Sequence, residues 1–304
     1  MKVRFWGVRG SIPCPGRLTA KYGGNTACIE LRLNDPERLI IIDAGSGIRE
    51  LGNFMMVNDL PKGPISASIY LSHTHWDHIM GLPFFTPIYL PSTTLQVFGP
   101  VNHETETLDT IVGGQMTYRY FPVREAELAA NISYANLKAG HFDLGDGVSL
   151  TTKYLNHPIL CLGYRFECRG KVFCTAYDTE PYRNLFCTDP NDPAYDELMA
   201  SEGQAVAEEQ GADLERFVAG ADLLVYDAQY TRQEFAAKLG WGHTAIEEAI
   251  AVAGRNGVKR LALFHHDPMR TDEQLDAMGK VYGQSPEAAG REIFFAQEGM
   301  EIEI

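Results

Sequence analysis

The sequence IYLSHTHWDHIMGLPFF, residues 69–85, decides the fold and most of the chemistry of this chain. Its apolar start, IYL, predicts a strand that ends where the polar segment HTHWDH (73–78) begins. Alternation along an extended segment would send three metal-binding side chains to one side: His73, His75 and Asp77. A turn after Trp76 would add His78. Desolvating so many ionisable groups at a strand end is costly without a cation, and imidazole with carboxylate suits zinc, manganese or iron.

The composition is that of a globular chain. Of its 304 residues, 45% are hydrophobic, so a sizeable core is expected. No stretch approaches the roughly 20 apolar residues that span a bilayer, and the start, MKVRFWGVRG, lacks the apolar segment of a signal peptide. We therefore expect a cytoplasmic protein with no membrane partner. The six cysteines form no CxxC pair, which argues against a thiolate zinc site or a redox motif.

The charge balance bears on the substrate. Forty acidic and 26 basic residues give a formal net charge of −14. This charge would repel a long phosphate backbone, so we do not expect a long nucleic acid as partner. A small anionic substrate remains compatible, because bound divalent cations dominate the field close to them.

Polar groups recur wherever an apolar run ends. Asp43 follows the run Leu39–Ile42, and its carboxylate would either cap the next helix or orient a metal-bound histidine from behind. His243 precedes a segment with helical spacing of its apolar residues. Open sheets place functional loops at strand ends, which favours a shared site for the remaining groups: His157, Asp178, Asp227 and His265. Three histidines have no predicted ligand role: His103, His141 and His266.

This arrangement resembles the metallo-β-lactamase superfamily of two-metal hydrolases, and the match covers nearly the whole chain. The segments 221–230 (ADLLVYDAQY) and 242–268 (GHTAIEEAIAVAGRNGVKRLALFHHDP) look like the carboxyl end of its tRNase Z and cyclic phosphodiesterase branch. The resemblance implies an α/β fold with layered α and β elements, a four-layer αββα sandwich. We expect a single domain over residues 1–304, with an inserted acidic segment at about 181–220.

The resemblance also implies roles for individual residues. Two ligand triads and one bridging carboxylate would hold two divalent ions, by preference zinc, with manganese or iron as alternatives. The triads and the bridge are His73, His75 and His157; Asp77, His78 and His265; and Asp178. The catalytic residues would be Asp77, His243 and Asp227, with His243 protonating the leaving oxygen and Asp227 holding its ring. The branch carries Glu at the position of Asp227 and His at that of Tyr226.

The short stretch between His157 and Asp178 favours a small substrate. tRNA-processing relatives carry a long arm between the positions of His157 and Asp178, whereas residues 158–177 allow a hairpin, with its turn around Glu167 to Gly170. The first hypothesis is hydrolysis of a small cyclic phosphodiester, a cyclic nucleotide or ribose cyclic phosphate, by a hydroxide held between two metals. Three alternatives stay open: a tRNase Z-like RNA 3′-end endonuclease, an acyl or lactone hydrolase, and a non-catalytic nucleotide-binding protein. By analogy, the chain would form a homodimer.

Overall fold

Two mixed sheets form the centre of the molecule. The computed structural model describes residues 1–101, 107–284, 288 and 290–304. Within them, the first sheet has the strand order β14-β1-β2-β3-β4-β5-β6 and the second has the order β13-β12-β11-β10-β9-β8-β7. The strands of the first sheet are β1 (Lys2–Gly7), β2 (Cys28–Asn34), β3 (Glu37–Ile42), β4 (Ser66–Tyr70), β5 (Thr94–Gly99), β6 (Asn131–Asn136) and β14 (Glu301–Glu303). Those of the second are β7 (Gly140–Asp143), β8 (Val148–Leu155), β9 (Cys161–Cys168), β10 (Lys171–Ala176), β11 (Leu223–Asp227), β12 (Arg260–Phe264) and β13 (Glu292–Phe295).

Helices cover the outer faces of both sheets. In the described residues they are α1 (Ile48–Asn58), α2 (Trp76–Ile79), α3 (Leu108–Gly114), α4 (Glu197–Val218), α5 (Arg232–Phe235), α6 (Ile246–Arg255) and α7 (Asp272–Tyr282). Short 3-10 turns lie at Leu60–Lys62, Leu82–Phe84, Thr86–Tyr89 and Glu125–Glu127. Helices α1 and α3 pack on the first sheet, and α4, α6 and α7 pack on the second. The expected four-layer αββα sandwich is confirmed.

Alternation along the strands divides the core into three layers. In β11, Leu223 and Val225 belong to the layer between the two sheets, whereas Leu224 and Tyr226 pack against helices. All of LLVYD is buried, as expected for a parallel strand covered on both faces. Each such aliphatic side chain contributes about 1.5–3 kcal/mol on burial. The unbroken apolar run of β11 thus fixes its central place in the second sheet.

Parallel pairing brings the functional strand ends together. Strands β3, β4 and β5 run parallel in the first sheet, and β10, β11 and β12 run parallel in the second. The residues that follow or end β3, β10 and β11 are Asp43, Asp178 and Asp227. The carboxyl ends of both parallel groups meet at one edge of the sandwich, where the site described below lies.

The acidic segment 181–220 holds an irregular stretch and then α4. Asp196 caps this helix, accepting a hydrogen bond from Met199 N at 3.0 Å. Leu214, Phe217 and Val218 attach the end of α4 to the second sheet. Within the described residues, none of the helices combines the length and the apolar character that crossing a bilayer requires.

Candidate metal centre

The HTHWDH segment changes conformation earlier than alternation predicts. His75 is extended, with φ −62° and ψ 151°, and it is the N-cap of α2, which begins at Trp76. His78 N donates to His75 O at 3.0 Å. Asp77 therefore reaches the site from the first turn of a helix. The prediction that Asp77 continues a strand-like alternation, with the turn only after Trp76, is wrong in this detail, although the side chains converge.

Four overlapping groups of side chains converge at the strand ends. Within each group the candidate ligand atoms lie within 4.8 Å of one another. The first two groups are the two predicted triads, and the other two both contain Asp178. The groups are His73, His75 and His157; Asp77, His78 and His265; His73, His78 and Asp178; and Asp178, Asp227, His243 and His265.

The Asp178 carboxylate lies between the two triads. Its Oδ2 is 3.2 Å from His78 Nε2, 3.4 Å from His73 Nε2 and 3.9 Å from His157 Nε2. Its Oδ1 is 3.1 Å from His265 Nε2. One carboxylate thus faces ligands of both triads, which is the geometry a bridging ligand needs.

The donor set fits divalent cations. Ligands about 2.1 Å from a shared metal lie roughly 3 to 3.5 Å apart, and His73 Nε2 and His75 Nδ1 are 2.9 Å apart. His78 Nε2 and Asp178 Oδ1 are buried and have no hydrogen-bond partner among the described residues. Buried polar atoms are normally satisfied, so these atoms are explained if they coordinate metal.

The pKa values of His73, His157 and Asp178 favour the protonation states that metal ligands need. Burial lowers the pKa of His73 well below its ordinary value and lowers that of His157 to about 4, which keeps both rings neutral as metal ligands must be. Burial opposes ionisation of Asp178, but His265 and His78 hold its pKa well below the usual range. Burial would likewise lower the pKa of His78, yet Asp77 and Asp178 raise it well above normal. The carboxylates of Asp77 and Asp178 therefore stabilise positive charge next to His78, which is the charge that a bound cation would supply.

Asp43 organises one triad from behind. Its Oδ2 accepts hydrogen bonds from His78 Nδ1 at 2.8 Å and from Tyr177 Oη at 2.7 Å, and its Oδ1 accepts one from Ser72 N at 2.6 Å. With Nδ1 donating to Asp43, His78 presents Nε2 to the cluster. Of the two roles left open for Asp43, the geometry matches the orienting one. The Tyr177 contact was missed, because alternation places this residue on the inner face without indicating its partner.

The loop between β1 and β2 also contacts the centre. Ser11 N donates to Asp77 Oδ2 at 2.6 Å. A Cβ atom on Gly10 would lie 2.3 Å from the His265 ring, so only glycine fits there without displacement. The sequence marks this region only as a turn-rich loop, and its role in holding Asp77 and His265 was not predicted.

Three site residues have a left-handed backbone. Asp43, Asp178 and His265 have φ values of 60°, 56° and 61°. Residues other than glycine seldom adopt this conformation, which costs of order 1–3 kcal/mol and clusters at functional sites. Each of the three follows a parallel strand, so the turn redirects the side chain into the centre at the end of the strand.

His243 and Asp227 form a pair beside the triads. His243 Nδ1 donates to Asp227 Oδ2 at 2.9 Å, and the His243 ring stacks on that of His265 with centroids 4.9 Å apart. The other oxygen of Asp227 accepts from Thr244 N at 2.7 Å. Burial lowers the pKa of His243, but Asp227 outweighs it and raises the pKa above its ordinary value. The shorter acid therefore reaches the histidine despite the change from Glu.

The remaining histidines differ in position. His266 is buried and donates from Nε2 to Ala296 O at 2.8 Å, outside the four groups. His141 is exposed and contacts Thr151. His103 lies outside the described residues.

Comparison with known proteins agrees with the fold. No family model matches the chain. The chain is 26% identical to ribonuclease Z of Exiguobacterium sibiricum, and the alignment covers 97% of this chain and 95% of the relative. It is also 26% identical to ribonuclease Z of Lactococcus lactis subsp. lactis, with 87% of this chain and 88% of the relative covered. Among solved structures, the metallo-β-lactamase fold protein YhfI from Bacillus subtilis superposes with a TM-score of 0.65 at 18% identity, covering 100% and 99% of the two chains. Human tRNase Z, short form, superposes with a TM-score of 0.62 at 19% sequence identity, covering 100% of this chain and 99% of the other.

The fold, the ligand groups and these similarities define a metal-dependent hydrolase. By these comparisons the chain has the metallo-β-lactamase fold and is similar to ribonuclease Z over nearly its whole length.

The expectation against a long nucleic-acid partner is wrong. The similar proteins are named ribonuclease Z, and a solved structure of the same fold is a human tRNase Z, so the relatives of this chain carry the names of RNA-cleaving enzymes. The expectation used the net charge of the whole chain. A polyanion that approaches bound divalent cations responds to the field near them, which a sum over 304 residues does not describe.

Replacing the shared carboxylate tests the metal centre. Asp178→Ala should lose at least one metal ion per chain, because its two oxygens face both triads. Elemental analysis of protein purified in parallel with wild type measures the loss. Asp213→Ala, at a half-exposed position on α4, is the control and should retain full metal content. Unchanged metal in Asp178→Ala would refute the bridging assignment.

Tyr177→Phe tests support from behind the ligands. Removing the hydroxyl leaves Asp43 with one donor fewer, so metal affinity should fall about tenfold, as is typical when such a partner is lost. Competition with a metal-binding dye measures the affinity. Tyr70→Phe, which alters a tyrosine stacked on Phe98 in the same core, should leave it unchanged. Equal affinities in both variants would contradict the role of Tyr177.

Proposed function

We propose that this chain is a metal-dependent phosphodiesterase that cleaves RNA near a 3′ end, as a ribonuclease Z-like endonuclease. The observation that carries the proposal is the His243–Asp227 pair, which lies against the metal ligands. Asp178 N donates to Asp227 Oδ2 at 3.1 Å, so one carboxylate contacts both the proposed proton donor and the backbone of the proposed bridging ligand. Similarity to ribonuclease Z over nearly the full chain supports the same function.

The metal ions and the protein side chains would supply different parts of the catalysis. Two divalent cations, with zinc as our first choice, would be held by the two triads and Asp178, and they supply an activated water and neutralise phosphate charge. Asp227 holds Nδ1 of His243 and raises its pKa, so the ring keeps a proton to donate from Nε2. Donation to the departing ribose oxygen offsets its poor leaving-group character. Asp77 is fixed by a hydrogen bond from Ser11 N and would help to hold one of the cations together with His78 and His265.

A second candidate is hydrolysis of a small cyclic phosphodiester. The supporting observation is the region between His157 and Asp178, where β9 and β10 pair through the two-residue turn Arg169–Gly170. This region therefore contains a plain hairpin where tRNA-processing relatives carry their arm. The same proton donor would serve the ribose oxygen of a cyclic nucleotide.

A substrate panel separates the candidates. Metal-loaded protein is assayed on a tRNA precursor with a 3′ trailer, on cyclic nucleotides and on a thioester. Cleavage of the precursor near its 3′ end supports the first proposal. Hydrolysis of cyclic nucleotides alone would favour the second. With bound metal verified, turnover of the thioester alone would overturn both.

Substitution of the proton donor tests the mechanism on whichever phosphodiester is cleaved. His243→Ala should lower kcat about a hundredfold or more, the size of a general-acid contribution, while bound metal stays near wild type. His141→Ala, at an exposed histidine, should change neither quantity. Loss of metal in His243→Ala would instead make this residue a ligand and contradict its assignment as proton donor.

A further inference from the structure

A pocket of about 520 Å³ opens beside the metal centre, between α4 and the loops around residues 182–186 and 240–242. His157 lines this pocket and also belongs to a ligand triad. The pocket therefore adjoins the candidate metal centre through this one shared residue. Its size is within the range of natural ligand sites, roughly 300–1,000 Å³.

The inner wall is held rigidly against the metal ligand. Glu180 Oε2 accepts hydrogen bonds from Gly240 N at 2.7 Å and Gly242 N at 3.2 Å. Gly242 O in turn accepts one from His157 Nδ1 at 3.1 Å. A Cβ on Gly242 would lie 2.3 Å from that Nδ1, so the contact requires glycine. A ligand that binds this wall is thereby positioned relative to His157.

The outer wall presents apolar surface that the core does not use. The segment around Phe186 lies directly on α4, where a Cβ on Gly203 would be 2.5 Å from the Phe186 ring. Phe186 remains 44% exposed, Met199 40% and Val206 57%, and all three line the pocket. An exposed ring flanked by aliphatic side chains is suited to a planar, partly apolar group such as a nucleobase.

The positively charged side chain of Arg183 lines the pocket and has hydrogen-bond donors available for a ligand. Arg183 Nε pairs with Glu180 Oε1 at 3.4 Å, and the side chain is 47% exposed. This single contact orients the guanidinium while its two terminal nitrogens remain open to solvent. Guanidinium groups bind phosphate oxygens with two parallel hydrogen bonds. Glu180 and Glu202 also line the pocket, so the exposed terminal nitrogens of Arg183 are the groups in it that can bind a phosphate.

We propose that this pocket binds the nucleotide next to the scissile phosphate. The base packs on Phe186 between Met199 and Val206, and the terminal nitrogens of Arg183 donate to the next phosphate along the substrate. This inference rests on the phosphodiesterase function proposed above and adds the part of the substrate that is recognised. A second copy of this chain is the competing occupant.

Binding measurements test the pocket without catalysis. Isothermal titration of metal-loaded protein compares adenosine 5′-monophosphate with inorganic phosphate, because metals bind both but the pocket binds only the nucleotide. Wild type should bind the nucleotide at least about tenfold more tightly, the order of one base stacked on an aromatic ring. Ala207→Trp, which fills the pocket, and Phe186→Ala, which removes the ring, should abolish this preference. Ala205→Trp, on the same helix but outside the pocket, should retain it.

The arginine has its own probe. Adenosine 3′,5′-bisphosphate should bind wild type several-fold more tightly than the monophosphate, and Arg183→Gln should remove this advantage. Arg216→Gln, an exposed arginine on α4 away from the pocket, is the matched control. If wild type shows no nucleotide preference over phosphate, or if the pocket variants change only the oligomeric state in size-exclusion chromatography, the inference is overturned.

Kinetics separate this inference from the proposed function. For thymidine 5′-(p-nitrophenyl phosphate), Ala207→Trp should raise KM about tenfold. For bis(p-nitrophenyl) phosphate, which has no nucleoside, kcat and KM of the same variant should both stay within about twofold of the wild-type values. Failure of wild type to hydrolyse either diester would count against the proposed function, and the titrations would still decide on the pocket. If Ala207→Trp raised KM equally for both diesters, a binding role confined to the nucleoside would be refuted.

Discussion

The buried carboxylate of Asp178 is the constraint on which the rest of the centre depends. It faces imidazole nitrogens of both triads at 3.1–3.9 Å, and its own backbone N–H is held by Asp227. An unpaired buried carboxylate is very costly, so its neighbours must supply positive charge or bound cations. The backbone of Asp178 is left-handed, with φ 56°, and this strained conformation turns its carboxylate into the centre just after β10.

Much of the fold and of the candidate site could be predicted from local sequence. The apolar runs before Asp43 and Asp178 predict buried strands, and polar groups at the ends of such runs predict a shared edge. Three contacts could not be predicted in this way. Tyr177 contacts Asp43 across the two sheets, Ser11 reaches Asp77 from a distant loop, and Gly10 is required by the His265 ring. Each depends on tertiary proximity, which periodicity in one segment does not encode.

The wrong expectation about nucleic acid has a similar origin. Net charge is a property of the whole chain, whereas recognition takes place at one edge of it. There, carboxylates that add to the negative total are the groups that call for divalent cations, so the same residues make the chain acidic and its site attractive to phosphate. A count of charged residues is informative for solubility and long-range encounter, and it says little about a metal-dependent site.

The division of the ligands between the two sheets has a consequence for biosynthesis. His73, His75, Asp77 and His78 follow a strand of the first sheet, and His157, Asp178 and His265 follow strands of the second. Domains form as the chain emerges from the ribosome, amino-terminal part first. The HTHWDH segment is therefore made well before its partners, and by itself it offers an incomplete ligand set. The full candidate ligand set is present only once His265, which follows β12, has been made, so a centre that uses all of these ligands requires both sheets.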